Sequence, residues 1–116
     1  MPFTPRLVMV TASGVDEARS LARTLLERRL AACVNIVPGL ESHYRWQGQI
    51  EKSEEVLLLI KSSAEHFEAM AALIREKHSY ECPEIVAVKL EEMAPAYRAW
   101  WEGQLGQGRD QGQAGG

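Results

Sequence analysis

The stretch from Ala31 to Lys61 constrains this chain more than any other. It reads as two long strands joined at Gln47-Gly48, where the glycine supplies the positive φ that a tight turn needs. The return arm carries Val56-Leu57-Leu58-Leu59-Ile60, an unbroken apolar run, so neither face of that strand suits water. The outgoing arm, Ala32 to Trp46, is interrupted only by Pro38-Gly39. Proline removes a ladder donor and glycine permits a bend, so the pair marks a bulge or an edge position. Arms of roughly 15 residues at about 3.3 Å each reach on the order of 50 Å. A compact chain of this size has a radius of gyration near ~13 Å and a diameter of roughly 35 Å. The hairpin must therefore bend sharply at Pro38-Gly39 or project onto another subunit. Tyr44 and Trp46 near its tip favour projection.

The other elements follow from periodicity. Arg6 to Thr11 is a short apolar strand. Ser13 is the candidate cap of an amphipathic helix, with Asp16 and Glu17 in its first turn and Ala18, Leu21, Ala22, Leu25 and Leu26 on its inner stripe. After the hairpin, Ser62-Ser63 offers a second cap, and Phe67, Met70, Ala71 and Ile74 mark a helix that ends near Lys77. His78 to Pro83 is a loop, Glu84 to Leu90 a fourth strand, and Pro95 opens a short helix with Tyr97, Trp100 and Trp101. Residues 1–105 form one domain. The Gly/Gln-rich end, 106–116, lacks the apolar residues to offset the entropy of ordering and is expected to be a disordered tail.

Strand–helix–strand–strand–helix–strand–helix is the split βαβ, ferredoxin-like pattern of an α+β domain, with both main helices on one face of a four-stranded sheet. Helices cover one face only, yet the runs Leu7–Val10, Val56–Ile60 and Ile85–Val88 are apolar on both. Other copies of the same sheet are the simplest cover, so a homo-oligomer clamped by the long hairpin is expected.

Composition narrows the partners. A formal net charge of -3, without a basic stripe or tail, argues against nucleic-acid and membrane-surface binding. No apolar run approaches a membrane span, and the opening Met-Pro-Phe-Thr-Pro-Arg has neither part of a signal peptide. Two cysteines, Cys33 and Cys82, make no disulfide framework, so a reducing cytoplasm is the expected compartment.

The densest polar cluster is His78-Ser79-Tyr80-Glu81-Cys82-Pro83-Glu84. An imidazole, a phenol, a thiol and carboxylates this close can ligate a metal or move a proton, or else His78 caps the preceding helix and Tyr80 packs on the core. Cys33 reads as a small buried hydrophobe unless the fold brings it to Cys82 or His78, where the set would suit copper or zinc. Glu51, Glu54 and Glu55 form either a solvated edge or the carboxylate wall of a cleft with Lys61 as its counter-charge. Tyr44 and Trp46 share one strand face and His43 and Arg45 the other. The sequence has no nucleophile elbow, phosphate-cradling glycine loop, paired CxxC or HExxH, so no enzyme is expected. The nearest thing to one is an acid–base set of His78, Tyr80 and Glu81.

The segments Ala31-Ala32-Cys33-Val34-Asn35, Ser42-His43-Tyr44-Arg45-Trp46-Gln47-Gly48-Gln49-Ile50-Glu51, Glu54-Glu55 with the apolar run to Lys61, and His78 to Ile85 occur in the order and spacing of the CutA divalent-cation tolerance family. From about residue 6 to 104 the chain resembles that family. The resemblance implies a ferredoxin-like subunit in a PII-like homotrimer, with sheets packed edge to edge and hairpins extended across neighbours. It also implies a non-catalytic role in tolerance of divalent cations, copper being the metal most often named. The copper site proposed in the family uses a cysteine at the end of the first strand and two adjacent histidines. Val10 and Lys77-His78 stand at those positions here. Only His78 carries over, and Cys33 or Cys82 would have to supply the thiolate. The likeness to PII signalling proteins implies an alternative, a sensor that binds a small anionic ligand in an intersubunit cleft formed by Tyr44, Trp46, Glu54, Lys61, Tyr80 and Glu81.

Overall fold

In a computed structural model that describes residues 2–106, the chain runs β1 (Pro5–Ala12), α1 (Val15–Glu27), β2 (Cys33–Trp46), β3 (Gln49–Ser63), a short 3-10 turn, α2 (Phe67–Lys77), β4 (Ile85–Lys89) and α3 (Pro95–Gln104). The strands lie in the order β2-β3-β1-β4 and every neighbouring pair is antiparallel. This is the expected ferredoxin-like sheet, in which β3 separates β1 from β2 and β1 separates β3 from β4. The expected tail, Gln107 onward, lies outside the described residues. Gly106 is tied down, its N–H donating to the Arg29 carbonyl at 2.9 Å and its carbonyl 2.8 Å from His66 Nε2.

Register assigns each side chain to a face, because residues directly opposite one another point the same way. Val8 sits opposite Ile60 and Ala87, and Val10 opposite Leu58 and Ile85. This set faces the helices, packed with Leu21 and Leu25 of α1 and with Met70 and Ile74 of α2. Leu7, Met9, Leu57, Leu59, Val86 and Val88 point to the other side. There Val37, Val86 and Val88 remain 42%, 43% and 41% exposed. The sheet has one finished apolar face and one unfinished one.

Helix α3 covers only one end of the unfinished face. Trp101 is buried with Ala32 and Leu105, and its indole N–H donates to the Ser62 carbonyl at 2.9 Å. Arg29 holds the other end of α3, donating to the Gln104 and Gly103 carbonyls at 3.1 Å each. Arg29 itself ends α1 with a left-handed φ of 58°. At the start of α1 the cap is Gly14 rather than Ser13. Ser13 lies one residue outside, where Glu17 accepts from both its N–H and its hydroxyl.

The hairpin stays paired from Cys33–Lys61 to Trp46–Gln49, with one register shift between Val37 and Leu40. Pro38-Gly39 is therefore a bulge, and Gly39 takes a φ of 81°. Beyond it the two strands project into solvent, leaving Ile50 74% exposed. The molecule is 45 Å along its long axis with a radius of gyration of 14.8 Å, above the ~13 Å of a compact chain this size. At the tip both Gln47 (φ 52°) and Gly48 (φ 78°) are left-handed. A two-residue loop with two positive φ values matches the right-handed twist of its strands, and glutamine is a poor residue for the first position. Gln47→Asn should accordingly stabilise the fold by about 0.5–1 kcal/mol in denaturant unfolding. An unchanged or lowered midpoint would contradict this turn geometry.

Candidate functional site

The site begins with one carboxylate. Glu17, in the first turn of α1, accepts the Ser13 N–H at 3.0 Å and the Ser13 hydroxyl at 2.9 Å. It also accepts the Ser79 N–H at 2.7 Å and the Ser79 hydroxyl at 3.1 Å. Partial burial pushes this carboxyl up, but the backbone and hydroxyl donors of Ser13 and Ser79 outweigh it and hold the group down at about 2. Glu17 thus clips the loop after α2 to the start of α1.

The clip places His78 and Tyr80. The His78 backbone turns extended and ends α2. Its side chain is fully buried, with Nε2 2.7 Å from the Thr11 carbonyl and Nδ1 accepting the Tyr80 N–H at 3.0 Å. That network assigns the proton to Nε2. The Tyr80 ring lies 4.8 Å from the His78 ring, and its hydroxyl donates to Glu55 Oε2 at 2.8 Å. Burial, joined by the Glu55 carboxylate, pushes the Tyr80 phenol up to about 12, so at neutral pH it is a proton donor held on Glu55.

Beside this pair lies a cavity of about 340 Å³ lined by Thr11, Tyr44, Trp46, Glu55, Tyr80, Glu81, Cys82 and Glu84. It opens on the unfinished sheet face, between the root of the hairpin and the loop before β4. Of the residues singled out in the sequence, Tyr44, Trp46, Tyr80, Glu81 and Cys82 meet there.

Four others do not. Glu54 pairs with Glu41 on the opposite sheet face, and its neighbour Glu55 holds the wall position instead. Lys61 lies six residues beyond Glu55 along β3, roughly 20 Å away. There its ammonium donates to the Tyr97 hydroxyl at 3.0 Å, a bond that raises its pKa despite partial burial. The counter-charge expected for an anionic ligand is thus at the far end of the sheet. Cys33 sits opposite Lys61, far from exposed Cys82, so the two free thiols cannot share an ion within one chain. His78 is turned inward with both ring nitrogens engaged, and Val10 is in the helix-side core.

Glu55, Glu84 and Thr11 were not among the expected site residues. For Glu55 the signal was present. A two-residue turn at 47–48 pairs Trp46 with Gln49, and alternation then puts Glu51, Ser53 and Glu55 on the face of Tyr44 and Trp46. Thr11 and Glu84 join through the β1–β4 pairing, which no local pattern announces.

Residues 6–104 match the family model described as CutA1 divalent ion tolerance protein. The divalent-cation tolerance protein CutA of Thermus thermophilus is 44% identical over 94 residues, covering 81% of this chain and 91% of that one. Protein CutA of Mus musculus is 37% identical over 100 residues, covering 86% of this chain; the chain spans only 56% of that relative's length. Among solved structures, the divalent cation tolerance protein (Cut A1) from Thermus thermophilus superposes with a TM-score of 0.86 at 41% identity, covering 88% of this chain and 99% of that one.

The clip carries a pH signature. Because the folded pKa of Glu17 lies below its ordinary 4.5, its stabilisation is full above pH 4.5 and is lost as pH falls toward about 2. Glu17→Gln should cost about 1–2 kcal/mol at pH 7, and the gap between variant and wild type should close as pH drops through that window. Denaturant unfolding at fixed protein concentration measures both. A gap independent of pH would show that the carboxylate charge is not what holds the loop.

Proposed function

We propose that this chain, which belongs to the CutA1 divalent ion tolerance family, acts in tolerance of divalent cations as a non-enzymatic, cytoplasmic homotrimer, with copper or a similar ion as the metal concerned. One observation carries the reading: sequence and fold agree with the Thermus thermophilus tolerance protein over nearly the whole of that chain. The two free cysteines suit a reducing compartment. Among the described residues no helix is long and apolar enough to cross a membrane.

The trimer is supported by the unfinished sheet face. Leu7, Met9, Leu57, Leu59, Val86 and Val88 form a continuous apolar surface that α1 and α2 cannot reach, and the projecting hairpin extends past the subunit's own core. Burying such a face is worth about 25 cal/mol per Å² of apolar area, and a second copy of the same face is the simplest partner.

A resident metal does not fit a single subunit. Among the described residues no three His, Cys, Asp or Glu side chains converge where an ion could sit. The inward His78 and the separated thiols leave no preformed copper centre, so the tolerance role does not rest on one inside the subunit. An anion sensor finds no support at the cavity either, since no Lys, Arg or His lines it.

Two outcomes test the reading. Deleting the gene in its own host should lower the copper concentration that halves growth, and the intact gene should restore it. Equal growth with and without the gene would overturn the tolerance role. Leu59→Asp puts a charge on the open face while leaving the helix-side core alone. It should lower the melting temperature by several degrees and abolish its rise with protein concentration. A concentration-independent melt in the wild type would count against the assembly.

A further inference from the structure

The cavity has a charge and a wall chemistry that the tolerance role does not use. Three carboxylates, Glu55, Glu81 and Glu84, line it beside three aromatic rings, Tyr44, Trp46 and Tyr80, and no basic side chain joins them. None of the three carboxylates forms an ion pair among the described residues. Tyr44 and Trp46 are 43% and 52% exposed, so their ring faces are open to a ligand. Glu55 is not free to swing away, because the Tyr80 hydroxyl holds one of its oxygens at 2.8 Å. Tyr80 is itself fixed through His78 and the Glu17 clip. This is a fixed carboxylate under aromatic walls in a concave site, and its volume of about 340 Å³ falls in the range of small-ligand pockets.

Each simpler occupant fails on one count. An anion would meet three negative groups and no donor cation. A bare divalent ion needs several donors at one point, and no three converge here. A neutral apolar molecule would strip water from the carboxylates with nothing in return. A cation with an apolar stem meets all the conditions: its ammonium faces Glu55 and the loop carboxylates, and its alkyl part packs on the rings, which also attract positive charge. The geometry points to a binding site for a small organic ammonium ion in the cavity walled by Tyr44, Trp46, Glu55 and Tyr80. The lining residues all belong to one chain, so this inference goes beyond the tolerance role and does not depend on it.

The test is calorimetric titration of the full-length protein with n-butylammonium chloride at constant ionic strength. Sodium butyrate serves as the charge-reversed control and copper chloride is run in parallel. Butylammonium should bind saturably and butyrate should not. Tyr44→Leu, which removes a ring face at the solvent-exposed rim, should weaken binding about tenfold. Glu55→Gln keeps an acceptor for Tyr80 but removes the charge, and it should weaken binding about as much. Thermal melts of both variants identify any loss of folding. If either variant melts early, the wild-type contrast between butylammonium and butyrate decides the matter. No saturable heat with butylammonium, equal binding of butyrate, or unaltered affinity in two folded variants would each overturn the site. Copper binding without butylammonium binding would also overturn it and leave the tolerance role standing.

Discussion

Everything in this molecule depends on a sheet that is apolar on two sides and covered by its own helices on one. Val8, Val10, Leu58 and Ile60 pack under α1 and α2 and are fully buried. Their strand neighbours Leu7, Met9, Leu57 and Leu59 are equally apolar and face the other way. A strand built for burial on both faces is costly to leave half wet, since each large side chain removed from water contributes about 1.5–3 kcal/mol. The long hairpin belongs to the same problem. Its inner half completes the sheet, and its outer half has no core of its own to cover. Both features make sense together if the second face is finished by other copies of the chain.

The cavity sits at the edge of that unfinished face, and its geometry comes from a few polar contacts made far apart in sequence. Glu17 joins Ser13 to Ser79, His78 bridges Thr11 to Tyr80, and Tyr80 reaches Glu55. Each contact orients the next, so a clip at a helix start ends by fixing a carboxylate on a strand. Buried polar chains of this kind are specific because any member left unpaired would be destabilising. The same chain takes His78 out of contention as an exposed metal ligand, which no inspection of the loop by itself would reveal.

Much of the fold was legible because it rests on local rules. Alternation and unbroken apolar runs marked the strands, the 3.6-residue stripe marked both long helices, and Gln47-Gly48 and Pro38-Gly39 marked the turn and the bulge. The site was legible in part. Tyr44, Trp46, Tyr80, Glu81 and Cys82 were expected at one place and the structure brings them together. Glu54 was expected in place of Glu55, although strict counting from the two-residue turn separates them by face. Lys61 was expected at the cleft because it shares a strand with Glu55, but six residues of extended chain are too long a span. The inward turn of His78 depends on a carbonyl 67 residues away, and no local pattern carries such information.

The central claim is that the open face of this sheet is closed by two further copies of the chain. Sedimentation equilibrium of the wild-type protein at micromolar concentration tests it most directly. The account requires a mass of three chains of 13.0 kDa each. A single species of one chain's mass, unchanged as the concentration is raised, would contradict it.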